Sequence, residues 1–297
     1  VRLRGHAGLP GAVAVIGHPL GVNTWVWASP LTDATLAALA ARVAGWGFDV
    51  LELPVENPDD WEPGRAAQVL ADHGLGATVC LVMPPGRELV AADPATIRST
   101  QDYLFRVVDA AATVGSPVIA GPAYASVGRT WRLSPAERAA AYAQLRESLA
   151  PVVEYAGAAG VTVAVEPLNR YETSLLNTVG QTLEAIGDLP HCGVALDLYH
   201  QNIEETNIPA AIRSAAGRVA HVQVCGNDRG TPGADHLDWP AILASIDAAG
   251  YGGPLCIESF TAENATIATA ASIWRPLAAS QDAIAIDGLK FLRAVMP

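Results

Sequence analysis

The sequence predicts an α/β protein built as a single (β/α)8 barrel, and three observations carry that expectation. Short apolar runs of about 5–8 residues alternate with longer Ala-rich stretches of helical period, the pattern of βα units around a parallel sheet. Eight such units can be counted along the 297 residues. No Gly/Ser-rich linker or composition break divides them. An open doubly wound sheet would show a similar alternation, but eight evenly spread units favour closure.

In chain order the expected strands are GVNTWVW (21–27), VLELPVE (50–56), ATVCLVM (77–83), SPVIAGPAY (116–124), VTVAVEPLN (161–169), CGVALDLYH (192–200), VAHVQVCGND (219–228) and PLCIESF (254–260). Runs that are apolar throughout suit a sheet covered on both faces. Helix starts are legible between them. Thr32-Asp33 precedes ATLAALAARVAGWG, Ser134-Pro135 precedes a long Ala-rich stretch, and Asp238 precedes WPAILASIDAAGYGG. Ser, Thr or Asp at the cap, Pro in the first turn and Gly after the last turn are what helix ends require.

Composition narrows the function classes. Hydrophobic residues make up 51% of the chain and charged residues 16%, enough apolar material for a large core and too little charge for disorder. A net charge of −12 with no basic patch argues against nucleic acid as a partner. It also favours a free sugar over a sugar phosphate, which would need more local Arg and Lys. Cys80, Cys192, Cys225 and Cys256 are scattered singly, as buried thiols in a reducing cytosol would be. The opening VRLRGHAGLPGAVAVIG puts two arginines before an apolar run, but Gly and Pro break the run and no clear small-residue cleavage site follows. Residues 1–18 are therefore read as an extension of a catalytic domain spanning 19–297, and the protein as cytoplasmic, with no membrane partner.

A barrel of this kind does its chemistry at the C-terminal ends of the strands. Strand five delivers Glu166 there, strand six Asp197, strand seven Gln223 with His221 two residues earlier, and strand eight Glu258. One carboxylate after an apolar run is often only the first solvated loop residue. Several on one rim are costly unless a cation compensates them. Glu166, Asp197, Gln223 and Glu258 form an all-oxygen set that favours a hard divalent ion, Mn2+ or Mg2+, with Co2+ as a third candidate. His221 faces the same side about 7 Å deeper and is the alternative ligand or a residue behind the ligands. Such an ion polarises a ketose carbonyl and stabilises the enediolate formed when Glu166 or Glu258 removes the neighbouring proton. If the two glutamates stand on opposite faces of that carbon, one deprotonates and the other reprotonates it, which inverts the centre. Trp25 is a candidate wall of the sugar pocket, with Trp27, Trp131 and Trp274 as weaker ones, and Glu56 a candidate substrate contact. His236 is weighed as a pocket residue against a solvated loop histidine. No Gly-rich phosphate loop appears where a strand enters a helix.

The segments EPLNRYETSLLNT (166–178), ALDLYHQNIEE (195–205), HVQVCGNDRGTPG (221–233) and IESF (257–260) resemble the D-tagatose/D-allulose (psicose) 3-epimerase family, within the xylose-isomerase-like sugar isomerases and epimerases. The resemblance runs from about residue 21 to about residue 275. It implies that Glu166 and Glu258 are both metal ligands and the acid/base pair, that Asp197 is a ligand, and that Glu172, His200 and Arg229 contact substrate oxygens. It also implies a homodimer or homotetramer. One position departs from the pattern: this chain has Gln223 where the epimerases usually place His. Gln at that place is similar to hydroxypyruvate isomerases and some dehydratases of the superfamily. The alternatives to a ketose 3-epimerase are therefore a hydroxypyruvate-type isomerase, a keto-sugar dehydratase, or the catalytic subunit of a C-glycoside-cleaving enzyme. A non-catalytic sugar-binding protein is the reading from a different class, and the retained Glu166, Asp197 and Glu258 speak against it.

Overall fold

The computed structural model describes residues 17–296, so the proposed extension lies almost wholly outside the described residues. The chain order is β1 (Leu20–Asn23), α1 (Asp33–Trp46), β2 (Val50–Val55), α2 (Pro63–Asp72), β3 (Gly76–Leu81), α3 (Pro94–Val114), β4 (Val118–Gly121), α4 (Pro135–Ala158) and β5 (Thr162–Val165). It continues with α5 (Val179–Ile186), β6 (Cys192–Asp197), α6 (Leu198–Glu204), α7 (Ile208–Ser214), β7 (Val219–Val224), α8 (Trp239–Ala248), β8 (Leu255–Ile257), α9 (Ala265–Ala270) and α10 (Gln281–Val295). Each strand pairs in parallel with the next, and β1 closes on β8, which completes the expected eight-stranded barrel.

The three helix starts read from the sequence are the observed caps. Thr32 accepts the N–H of Thr35, and Asp238 that of Ala241 at 3.2 Å. Ser134 and Glu137 form a reciprocal capping box, which satisfies two of the N–H groups that a helix start leaves without partners.

The strands are shorter than the apolar runs that announced them. β1 ends at Asn23 because its side chain accepts the N–H of Trp25 and turns the chain into a 3-10 turn over Thr24–Val26. β6 ends at Asp197, whose carboxylate caps α6 by accepting the N–H of Tyr199 at 2.8 Å. β4 ends at Gly121, with φ at 146° and the spot for a Cβ already taken by the carbonyl oxygen of Leu81.

Side chains alternate across each strand. Leu51, Leu53, Val79, Leu81, Ile119, Val163, Val194, Leu196, Val222, Leu255 and Ile257 face outward into one core shared with the helices. The opposite positions fill the barrel, and they correct the expectation of strands that are apolar throughout. On β4–β6 the filling is small and apolar, from Val118, Ala120, Ala164 and Ala195. On β1–β3 and β7 it is polar, from Asn23, Glu52, Thr78, His221 and Gln223, all at most 1% exposed. A register shift between Val194 and Ala195 sets Ala195 opposite His221 and Asp197 opposite Gln223. The rim carboxylate of β6 is thereby level with the amide of β7.

Gly121→Ala is expected to lower unfolding stability by about 1–3 kcal/mol, the cost of a strained backbone conformation, aggravated by the clash with Leu81. Urea denaturation monitored by circular dichroism measures it, and an unchanged midpoint would show that the end of β4 tolerates a Cβ.

Candidate metal centre and active site

Glu166 follows β5, Asp197 ends β6, Gln223 lies on β7 and Glu258 follows β8, so four neighbouring strands carry these side chains to one end of the barrel. None is more than 7% exposed. Their contacts link them into one cluster. Glu166, Asp197 and His200 each offer an atom within 4.8 Å of the others. Arg229 Nη1 donates to Asp197 Oδ2 and, at 2.9 Å, to Glu258 Oε2. Gln223 Nε2 donates to Glu258 Oε1 at 2.9 Å.

Arg229 holds the centre of this cluster and is itself held. Its backbone is left-handed, with φ at 70°, in the turn closed by Gly226 N–H to Gly230 O at 2.9 Å. The guanidinium stands 4.6 Å from the Tyr199 ring centroid and 4.5 Å from that of Phe260. Aromatic faces on a desolvated cation stabilise it and restrict its movement.

The charges are unequal. Burial pushes the Glu166 carboxyl well above the usual range, and Glu258 and Asp197 push it further. Burial does the same to Glu258, against the pull of Arg229. For Asp197 burial also opposes ionisation, but Arg229, His200 and the N–H of Tyr199 outweigh it and hold the pKa below the usual range. His200 is kept neutral mainly by burial. Its Nδ1 accepts the N–H of Asn169 at 3.0 Å, which leaves the proton on Nε2, 3.5 Å from Glu166 Oε1 and 3.6 Å from Asp197 Oδ2.

The cluster suits a divalent cation on two grounds. Burial makes two of the three carboxylates resist ionisation, and one guanidinium does not balance them. Gln223 Oε1, fully buried, has no hydrogen-bond partner, and a buried acceptor left so is costly unless something else meets it. Glu166, Asp197, Gln223 and Glu258 would hold the ion through oxygen.

Beside them opens a cavity of about 200 Å³, roughly six or seven waters in volume and on the scale of a single sugar. Trp25, Glu56, Glu166, Glu172, His200, Arg229 and Glu258 all line it. Glu172 is oriented by Asn169 Nδ2 at 2.7 Å. Glu56 Oε1 accepts Trp25 Nε1 at 2.9 Å and Ser29 Oγ at 2.6 Å, which sets the indole against the cavity. Leu81, Val127, Leu168, Phe260 and Ile267 complete an apolar wall.

Other candidates fall elsewhere. Trp27 donates to Asp282 at 2.8 Å and stacks on Trp46, away from the cavity. Trp131 lies over Arg129 outside the cavity, Trp274 is 75% exposed, and His236 is exposed and does not line the cavity. His221 does not reach the rim: its Nε2 stands 2.5 Å from Glu52 Oε2, and its grouping is with Glu52 and Cys256. That contact has the distance of an ion pair without the alignment of a hydrogen bond.

Glu52 itself escaped the sequence reading. It is fully buried in the middle of β2. Burial opposes its charge, but His221, Gln223 and Thr78 hold its pKa below the usual range. The signal that would have found it is period-two alternation in VLELPV, where residue 52 shares a face with 50 and 54.

A family model described as a xylose isomerase-like TIM barrel matches residues 40–295. A probable ketose 3-epimerase of Synechocystis sp. is 33% identical over 277 residues, covering 92% of this chain and 95% of the relative. The L-ribulose 3-epimerase of Mesorhizobium japonicum is 32% identical, covering 92% of each chain. A solved structure of an L-ribulose 3-epimerase superposes with a TM-score of 0.86 at 30% identity and covers 94% of each chain. The chain belongs to the xylose isomerase-like TIM barrel family, among relatives that are ketose 3-epimerases.

Proposed function

We propose that this protein is a divalent-metal-dependent ketose 3-epimerase acting on free monosaccharides, with Glu166 and Glu258 as its acid/base pair. The observation that carries the reading is the pair itself. Both glutamates line one sugar-sized cavity, both are raised above the usual carboxylate range, and contacts through Asp197 and Arg229 link them, with Gln223 on Glu258. The ketose 3-epimerase relatives and the acidic balance of the chain agree with it.

An ion of the Mn2+ or Mg2+ kind, with Co2+ also admissible, supplies positive charge that lowers both glutamate pKa values and polarises the substrate carbonyl. The chain's own residues do the rest. One glutamate takes the proton from C3 of the ketose, leaving an enediolate across C2 and C3, and the other returns a proton to the opposite face. The roles exchange for the reverse reaction. His200 presents its Nε2–H and Arg229 its guanidinium to substrate oxygens, and Glu172 accepts from a hydroxyl. Trp25 and the apolar wall exclude water, which strengthens each of these contacts.

Gln223 is the residue that spoke for a hydroxypyruvate-type isomerase, a dehydratase or a C-glycoside-cleaving subunit, and the relatives do not favour those readings. A reducing, cytoplasmic setting is inferred from four buried free thiols, and no helix among the described residues is long and apolar enough to cross a membrane. Pairing of two or four copies is part of the same proposal, supported by Tyr171 and Trp274, which stand exposed in loops adjoining the cavity.

With Mn2+ in D2O, the protein is expected to place deuterium at C3 of D-fructose, D-tagatose, D-allulose or L-ribulose and to produce the C3 epimer, both followed by NMR. No exchange on any of the four, with the metal bound, would overturn the epimerase reading. Glu258→Gln is expected to lower kcat by about 10²–10⁴-fold, the usual worth of a general acid or base; wild-type turnover would remove Glu258 from the chemistry. Chelation should abolish turnover, and Mn2+ at about 100-fold above its Kd should restore it and stabilise the fold by about 2.7 kcal/mol. A Tm that does not move on adding Mn2+ would argue against a metal centre.

A further inference from the structure

The barrel interior beneath the rim is built around Glu52. Its Oε1 accepts Asn23 Nδ2 at 3.1 Å and Gln223 Nε2 at 3.0 Å, while its Oε2 accepts Thr78 Oγ1 at 3.0 Å and stands 2.5 Å from His221 Nε2. Glu52 does not line the cavity and cannot meet a substrate there. A buried carboxylate is costly even when its partners are good, so its presence in the barrel interior points to a task that only a carboxylate does.

The task is visible in the Gln223 amide. An amide has two ends of similar size, one a donor of two hydrogens and the other an acceptor. In Gln223 the NH2 group meets two carboxylate oxygens, Glu52 Oε1 at 3.0 Å and Glu258 Oε1 at 2.9 Å. Ionised, as a bound cation would keep Glu258, both accept only, so both amide hydrogens are used and the two contacts determine the orientation. Turning the amide over would set its oxygen against two carboxylate oxygens. The acceptor Oε1 is therefore left over, buried and without a partner. Glu258 alone is a poor guide for this amide, because its carboxylate also receives Arg229 and lines the cavity. Glu52 comes within 4.8 Å of Glu258 and Cys80, but both of its oxygens already have partners, and it is anchored on its other sides by Asn23, Thr78 and His221.

We propose that Glu52 is a positioning residue that keeps Gln223 Oε1 turned to the cation, the device that lets an amide serve where an imidazole would otherwise bind. The proposal rests on the reading of Gln223 as a ligand. An imidazole presents a ring nitrogen in its own plane, whereas an amide serves only when its oxygen and not its nitrogen faces the ion, so exchanging the one for the other raises the value of a fixed acceptor behind it.

The test is Mn2+ affinity, read by EPR titration and calorimetry without reference to turnover, on the full chain and with the metal-free fold checked by circular dichroism. Gln223→Ala is expected to weaken Mn2+ binding. Glu52→Gln is expected to weaken it by about 10–100-fold, the usual effect of removing a partner behind a metal ligand. Glu52→Asp retains the charge but shortens the reach, and is expected to weaken binding as well. The diagnostic comparison is made in a Gln223→Glu background. There a carboxylate at residue 223 no longer wants a carboxylate behind it, so adding Glu52→Gln should strengthen binding.

That reversal of sign supports the proposal, since a general electrostatic or structural role would weaken binding in both backgrounds. Weakening in both backgrounds overturns it, as does wild-type affinity in Glu52→Gln or Glu52→Asp. Undiminished affinity in Gln223→Ala overturns the ligand reading along with it; loss in Gln223→Ala with no effect at residue 52 overturns the positioning role alone.

Discussion

Four carboxylates, Glu52, Glu166, Asp197 and Glu258, are enclosed in one barrel with a single guanidinium among them, and the rest of the site follows from how their charge is met. Solvation in water would be worth far more to each than anything an apolar core offers. Glu52 is met by donors from three other strands. Asp197 is met by Arg229 and by the N–H of Tyr199 in the first turn of α6. Glu166 is met least, Glu258 is met by Asn23, Gln223 and Arg229, and burial drives both towards the protonated form. A site left in that state takes up a cation or a proton, and a proton-transfer enzyme uses both.

The division of the barrel interior supports this arrangement. Alanine and valine on β4–β6 leave room beside Glu166, and the polar side chains on β1–β3 and β7 form a hydrogen-bonded floor beneath Glu258. The hydrogen bonds gathered on Glu52 stiffen this floor, because a partner that moves loses a charge-assisted contact in a low-dielectric setting. The floor therefore holds rim residues to a narrow geometry, which transition-state chemistry requires. Arg229 is held by other means. A left-handed backbone and two aromatic faces keep one long, flexible side chain in a single place.

The legible part of the site was the part that lies at strand ends. Glu166, Asp197 and Glu258 stand out because each terminates an apolar run, where polarity changes abruptly. Glu52 does not, since it sits inside such a run and its neighbours Leu51 and Leu53 hide it. Trp25 and Trp27 read as neighbours on one strand face, but Asn23 ends that strand and separates them, one to the cavity and one to α10. Trp131, Trp274 and His236 carried only the general promise of their residue types, and long-range packing sent them elsewhere.

Local rules decide what is repeated along a chain. The alternation of apolar runs with capped helices specified eight βα units, their order and the rim on which polar residues emerge, because period and capping are properties of adjacent residues. Which residues meet across the barrel is different, for it depends on closure and on register. Closure brings Glu52 of β2 against Gln223 of β7, 171 positions away in sequence, and the irregular step between Val194 and Ala195 brings Asp197 level with that same amide. The sequence by itself determined a barrel with an acidic rim. Only the tertiary structure decided that a buried carboxylate stands behind the Gln223 amide, because contacts between distant strands leave no periodic trace in either of them.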